Sequence, residues 1–187
     1  MSRVTLVLGG ARSGKSRHAE ALARGAGGRP TYVATAEAAD DDEMALRIAR
    51  HREARGEGWQ TVEAPLDLAG AVAESGGPIL IDCITVWIGN LMHRGMDVTA
   101  EVARLCLAVE NARGPIIIVS NEAGLGIVPD NAMARQFRDH QGEANQKLAA
   151  IADEVVLVAA GLPLHLKTTG KRRRRGPAAK SGRGRTA

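Results

Sequence analysis

Gly9-Gly10-Ala11-Arg12-Ser13-Gly14-Lys15-Ser16 carries the densest chemistry in the sequence. Spelled G-x-x-x-x-G-K-S, it sets glycines, a lysine and a hydroxyl at the spacing of a phosphate-binding loop. Glycine backbone can curl its N–H groups around anionic oxygens. A helix starting at the same point turns its positive end toward them. Lys15 has the reach for β- and γ-phosphates, and Ser16 offers an oxygen for Mg²⁺. The surroundings agree, since the apolar run Val4 to Leu8 precedes the loop and a helix-forming run, Arg17 to Arg24, follows it. The competing reading is a chance glycine turn, and the strand–loop–helix context argues against it.

Asp82 ends the apolar run Ile79-Leu80-Ile81. A carboxylate there can hold Mg²⁺, directly or through water. It can also simply cap a following helix. The glycine loop upstream favours the metal role. Asp41 to Arg55 predicts a helix on which Met44, Ile48, His51 and Arg55 fall within about 60° of arc. Arg47, Arg50 and Arg52 crowd around that face. Spacing leaves two readings open. One is a solvated basic helix with a half-buried histidine. The other is the arginine-rich wall of an anion site, in which His51 is a nucleophile or base. Asn121-Glu122, after a central apolar run, could position a phosphate or water, or merely begin a polar loop. His18, His93, His140 and His165 have no partner pattern, and Cys83 and Cys106 lack metal-ligand spacing, so no zinc site is expected.

These residues need a frame. Strands are predicted at Val4–Leu8, Thr31–Thr35, Trp59–Glu63, Ile79–Asp82, Pro115–Ser120, Glu154–Ala159 and Leu162–Lys167. Helices are predicted at Ser16–Ala26, Asp41–Arg55, Pro65–Glu74, Ile84–His93, Val98–Arg113 and Asp130–Ala152. The alternation implies an α/β fold, a mostly parallel sheet with helices on both faces. Ligands in such sheets bind beyond the carboxyl ends of the strands. The glycine loop, Thr35, Asp82 and Asn121-Glu122 all sit at such ends and are expected to converge on one cleft.

The 187 residues fit one domain, and with 2% aromatics its core must be built from Ala, Val, Ile and Leu. No apolar run approaches the ~20 residues that span a bilayer. Met1 leads almost directly into a strand, so a cytoplasmic protein with reduced cysteines is expected. The net charge of +4 is uneven. Lys167 to Ala187 holds nine Lys or Arg and no acid, which leaves 16 basic against 21 acidic residues in the rest. A basic tail on an acidic body argues against a nucleic-acid-binding domain. Residues 1–167 are read as one domain and 168–187 as a disordered basic tail.

Taken together the chain resembles the bifunctional adenosylcobinamide kinase / adenosylcobinamide-phosphate guanylyltransferase family of cobalamin biosynthesis. The resemblance rests on Leu8 to Ser16, Tyr32-Val33-Ala34-Thr35-Ala36 and Asp41-Asp42-Glu43-Met44 with Arg47-Ile48 and Arg50-His51-Arg52. It continues through Trp59, Thr61 and Glu63, Asp82-Cys83-Ile84-Thr85, and Ser120-Asn121-Glu122 with Gly124, Gly126 and Ile127-Val128-Pro129. Asn145-Gln146 completes it. It implies a RecA-like P-loop NTPase sheet and a homotrimer. Two reactions are implied: phosphorylation of the aminopropanol hydroxyl of adenosylcobinamide by ATP or GTP, then transfer of GMP from GTP onto that phosphate. His51 takes the place of the histidine that carries GMP covalently, with Lys15 as the second catalytic residue. Nucleotide contacts carry over to Gly9–Ser16, Ala34, Thr35, Ala36, Arg52, Arg55, Glu63 and Asp82, and Mg²⁺ ligands to Ser16 and Asp82. Some relatives pair a second histidine with the first, and here Arg50 stands in that place. Two rival readings remain at this level: a P-loop kinase of another small metabolite with His51 structural, and a nucleotide-dependent regulator that uses the basic tail as an arm.

Overall fold

The computed structural model describes residues 4–37 and 56–168. Within them run seven strands: β1 (Val4–Gly9), β2 (Thr31–Ala34), β3 (Gln60–Glu63), β4 (Ile79–Asp82), β5 (Ile116–Asn121), β6 (Glu154–Ala159) and β7 (Leu162–Thr168). Five helices accompany them: α1 (Lys15–Gly25), α2 (Leu68–Glu74), α3 (Ile84–His93), α4 (Val98–Glu110) and α5 (Ala132–Ile151). The strands form one sheet in the order β3-β2-β4-β5-β1-β6-β7. Every pairing is parallel except β6 with β7.

Strand periodicity divides the core in two. Leu6, Ile79, Ile81, Ile116, Ile118 and Val155 point to the face covered by α2, α3, α4 and α5. Val7, Leu80, Ile117, Val119, Val156 and Val158 point to the opposite face, where Ala19 and Ala23 of α1 pack. A sheet covered on both sides explains why β1, β4 and β5 read as unbroken aliphatic runs rather than alternating ones. Small alanines on α1 let that helix lie close to β1, which fixes where its first turn points.

Several boundaries differ from the sequence reading. Pro65 does not open α2. Asp67 does, its side chain accepting from Gly70 N at 3.0 Å. Likewise α5 starts after Asn131, whose side chain accepts from Ala134 N at 2.7 Å. The last strand reaches Thr168, one residue past the expected domain end. Just before it, Lys167 Nζ donates to the carbonyls of Ala149 and Ala150 at 2.9 Å each, closing the C-terminal end of α5. The predicted helix Asp41–Arg55 lies wholly outside the described residues, and so does the tail beyond Thr168.

Candidate active site

Parallel strands bring their carboxyl ends to one edge of the sheet. In register, Gly9 stands beside Asn121. Ala34 stands between Asp82 and Glu63. The chain then turns through Gly10–Gly14 into α1. Gly14 caps that helix with φ 94° and ψ 5°, a conformation that glycine adopts without strain. A Cβ on Gly14 would also sit 3.3 Å from Gly161 Cα. One on Gly9 would meet the Val158 carbonyl oxygen at 2.6 Å. Gly9 therefore demands glycine for reasons of space, and Gly14 chiefly for its backbone conformation.

The loop is braced from several sides. Ser13 N donates to Gly10 O at 3.3 Å, and Gly161 N donates to Ser13 O at 2.8 Å. Gly161 belongs to the two-residue turn joining β6 to β7, where Ala160 and Gly161 both have positive φ. On the other flank, Glu122 N donates to Gly9 O at 3.2 Å. Lys15 Nζ donates to Gly10 O at 3.2 Å, so its ammonium curls back over the loop. Lys15 and Ser16 are half-buried, while Gly10, Ala11 and Arg12 are exposed.

The end of β4 is equally constrained. Thr35 is fully buried, its hydroxyl donating to Cys83 O at 2.9 Å and accepting from Cys83 N at 2.8 Å. Asn90 Nδ2 ties the Thr35 carbonyl down at 2.8 Å. Tyr32 donates its phenol proton to Asp82 Oδ2 at 3.2 Å. Burial pushes the Cys83 thiol up from its ordinary range, and the Asp82 charge adds to the shift. The Lys15 ammonium pulls the other way, which sets it within electrostatic reach of this strand end.

At the end of β5 a buried polar network does the same for Asn121. Ser120 Oγ donates to Asn145 Oδ1 at 2.6 Å, and Gln141 Nε2 donates to Ser120 Oγ at 2.7 Å. Asn145 Nδ2 donates to the Asn121 carbonyl at 3.0 Å, and Asn121 N donates to Thr85 Oγ1 at 2.8 Å. With its backbone held on both sides, Asn121 still has a buried side-chain oxygen, Oδ1, that meets no partner, and so has Ser13 Oγ. Buried polar atoms are seldom left without partners in the working state of a protein.

The structure thus brings together Gly9 to Ser16, Ala34, Thr35, Ala36 and Asp82 along one edge. Glu63 stands at the same edge but exposed, on outer strand β3, with β2, β4 and β5 between its strand and β1. His51, Arg52 and Arg55 lie outside the described residues. Sequence reasoning missed Gln141, Asn90 and the Ala160-Gly161 turn. Only the turn left a legible trace, two residues between apolar runs. No cluster of three or more His, Cys, Asp or Glu suited to a metal occurs among the described residues. The donors that remain are the Ser16 hydroxyl and the Asp82 carboxylate. These hard oxygens suit Mg²⁺ bound jointly with phosphate rather than a caged metal. The glycine cradle and the orphaned Ser13 Oγ fit an anionic ligand in the same place.

A strand, a glycine loop and a helix within a mostly parallel, two-faced sheet define a P-loop NTPase. Solved structures agree on the fold. The flagellar accessory protein FlaH of Methanocaldococcus jannaschii superimposes with TM-score 0.50 at 14% identity, covering 89% of this chain and 79% of its own. An ATPase from the type III secretion system of pathogenic bacteria gives TM-score 0.50 at 12% identity, covering 87% and 56%. The family model for cobinamide kinase / cobinamide phosphate guanyltransferase matches residues 5–166, and the chain belongs to that family of transferases. Among curated relatives, the bifunctional adenosylcobalamin biosynthesis protein CobP of Pseudomonas aeruginosa is 44% identical, over 87% of this chain and 96% of the relative. The CobU proteins of Escherichia coli and Salmonella typhimurium are each 41% identical, over 87% of this chain and 98% of theirs.

Proposed function

We propose that the protein phosphorylates the aminopropanol hydroxyl of adenosylcobinamide and then converts the product to adenosylcobinamide-GDP. In the first step the hydroxyl oxygen attacks the γ-phosphorus of ATP or GTP, and the nucleoside diphosphate leaves. In the second, an imidazole nitrogen of His51 attacks the α-phosphorus of GTP and pyrophosphate leaves. An oxygen of the acceptor phosphate then attacks the same phosphorus, forming the diphosphate bond and releasing His51.

The observation that supports this reading most is the phosphate cradle in a chain of this family. Gly9 packs too closely against the Val158 carbonyl and Ser13 to take a side chain, and Gly14 holds the left-handed turn into α1, so the two glycines fix the course of the loop. The Lys15 ammonium lies over the loop, ready to exchange the Gly10 carbonyl for β- and γ-oxygens. Bound Mg²⁺, held by Ser16 and Asp82, supplies charge neutralisation of the phosphates. Tyr32 orients the Asp82 carboxylate for that role. Attack by His51 requires a neutral imidazole. Ala34, Thr35, Ala36, Arg52, Arg55 and Glu63 complete the nucleotide contacts in this reading. Its working unit is a cytoplasmic homo-oligomer, a trimer by resemblance, with residues 1–167 as the catalytic domain and the basic tail outside the chemistry. No nucleic acid takes part. No helix among the described residues is long and apolar enough to cross a membrane.

The test is incubation with α-labelled GTP followed by a denaturing gel and separate assays of the two products. The wild type acquires label that is lost in acid and kept in base, as a phosphorus–nitrogen bond to imidazole behaves. His51→Ala loses the label and adenosylcobinamide-GDP formation but keeps kinase activity. Lys15→Ala folds normally and loses both by orders of magnitude. A labelled His51→Ala protein would place the nucleophile elsewhere. Failure of the wild type to label would return His51 to a structural role.

A further inference from the structure

The loop between β5 and α5 is fastened at both ends, yet its middle is apolar and bare. At its start Glu122 N is bonded to Gly9 O, and Glu122 Oε1 accepts from Gly124 N at 2.7 Å. At its end the Arg135 guanidinium donates to the carbonyls of Pro129 and Asp130 at 2.9 and 2.7 Å. Between these clamps Leu125 is 86% exposed, Ile127 97% and Val128 59%, with Met133 at 70% on the first turn of α5. A grouped apolar surface of this kind marks a place where something docks. We infer that this loop is the platform on which the acceptor's macrocycle lies while its side arm enters the phosphate site.

Three observations choose that occupant, given the reaction proposed above, on which the inference rests. The first is position. The loop leaves β5 next to β1, and its first residue is bonded to the first residue of the phosphate cradle. A molecule whose side arm reaches the γ-phosphate must spread over whatever flanks that cradle. The second is extent. On the β6 flank the Ala160-Gly161 turn is followed by exposed Leu162, Leu164 and Leu166, but β7 runs antiparallel to β6 and carries them away from the cradle, whereas Leu125, Ile127 and Val128 stay grouped in the loop beside it. The third is charge. From Asn121 to Ala134 the chain has Glu122 and Asp130 but no Lys or Arg, and the Arg135 guanidinium at its end donates to the Pro129 and Asp130 carbonyls. Such a surface disfavours nucleotides, nucleic acid and anionic lipid, and accepts a ligand with apolar faces and uncharged amide arms. A corrin macrocycle has that chemistry.

The experiment uses the full chain carrying Leu125→Ser, Ile127→Ser and Val128→Ser together. Steady-state kinetics, calorimetric binding of adenosylcobinamide and light-scattering mass are measured for it and for the wild type. The side chains are exposed, so folding is not at stake. The expected result is a rise in acceptor KM and Kd of at least about tenfold, with the KM for ATP and the mass unchanged. Ile127→Leu, which preserves the apolar surface, keeps wild-type acceptor affinity. Unchanged acceptor affinity in the triple variant overturns the inference. A fall in mass overturns it too, by showing that the loop meets a second copy of the chain. A wild type that binds ATP but never phosphorylates adenosylcobinamide fails at the earlier step, and removes the occupant together with the proposed function.

Discussion

Thr35 shows how one side chain can be needed without offering any surface. Its hydroxyl satisfies both the N–H and the carbonyl of Cys83, and it is fully buried. Thr35→Val preserves the shape and strands two backbone groups at about 1–3 kcal/mol for each one that finds no other partner. The expected outcome is a melting temperature several degrees lower, at roughly 2–4 °C per kcal/mol for a domain of this size. Because the same bonds position Asp82, Mg²⁺ affinity in the nucleotide complex should weaken as well. Differential scanning calorimetry and a Mg²⁺ titration check the two parts, and an unchanged melting temperature would mean that Cys83 finds other partners. The glycine loop, Asp82 and Thr35 were legible in sequence because each sits where an apolar run stops. The Tyr32–Asp82 bond was not, because sequence does not say that β2 and β4 are neighbours. Gln141 was hidden for a related reason, and Asn145 was singled out only by the family resemblance. On a 20-residue helix with many polar groups, nothing local marks the pair that turns inward to Ser120.

Among the elements, β4, α3 and β6 have the bounds read from sequence, since glycine, proline or charge punctuates a short apolar run on either side. α4 is shorter than expected, ending at Glu110 with Asn111 as its cap. The Asn111 side chain closes it by donating to Leu107 O at 2.7 Å, and Gly114-Pro115 follow just beyond. The β6–β7 hairpin is the element whose role only the structure discloses. Its turn holds the phosphate loop through Gly161 N and Ser13 O. Gly161 has φ 80°, so Gly161→Ala costs about 1–2 kcal/mol in backbone strain. ATP affinity should fall with the stability, as measured by calorimetric titration at a temperature where the variant is fully folded. Normal ATP affinity in a destabilised variant would show that the hairpin merely packs beside the loop.

For the whole molecule, charge and connectivity matter more than any one contact. Residues 169–187 hold eight of the 25 Lys and Arg and none of the 21 Asp and Glu. A chain ending at Thr168 therefore carries 17 basic against 21 acidic residues, and its net charge changes sign. Such a truncation should keep its melting temperature and both activities, while moving from a cation exchanger to an anion exchanger near neutral pH. The cut must spare Lys167, because its ammonium closes α5. Lost activity in a stable truncated protein would assign the tail a part in the chemistry. The sheet order carries one more consequence. β1 comes first along the chain, yet its neighbours are β5 and β6, and the brace on its loop comes from Gly161. During synthesis the phosphate loop must wait for partners made more than a hundred residues later, and closing so long a span is slow. A ribosome-bound chain halted before the hairpin emerges should be unable to retain nucleotide, so nucleotide capture reports that synthesis of the whole sheet is complete.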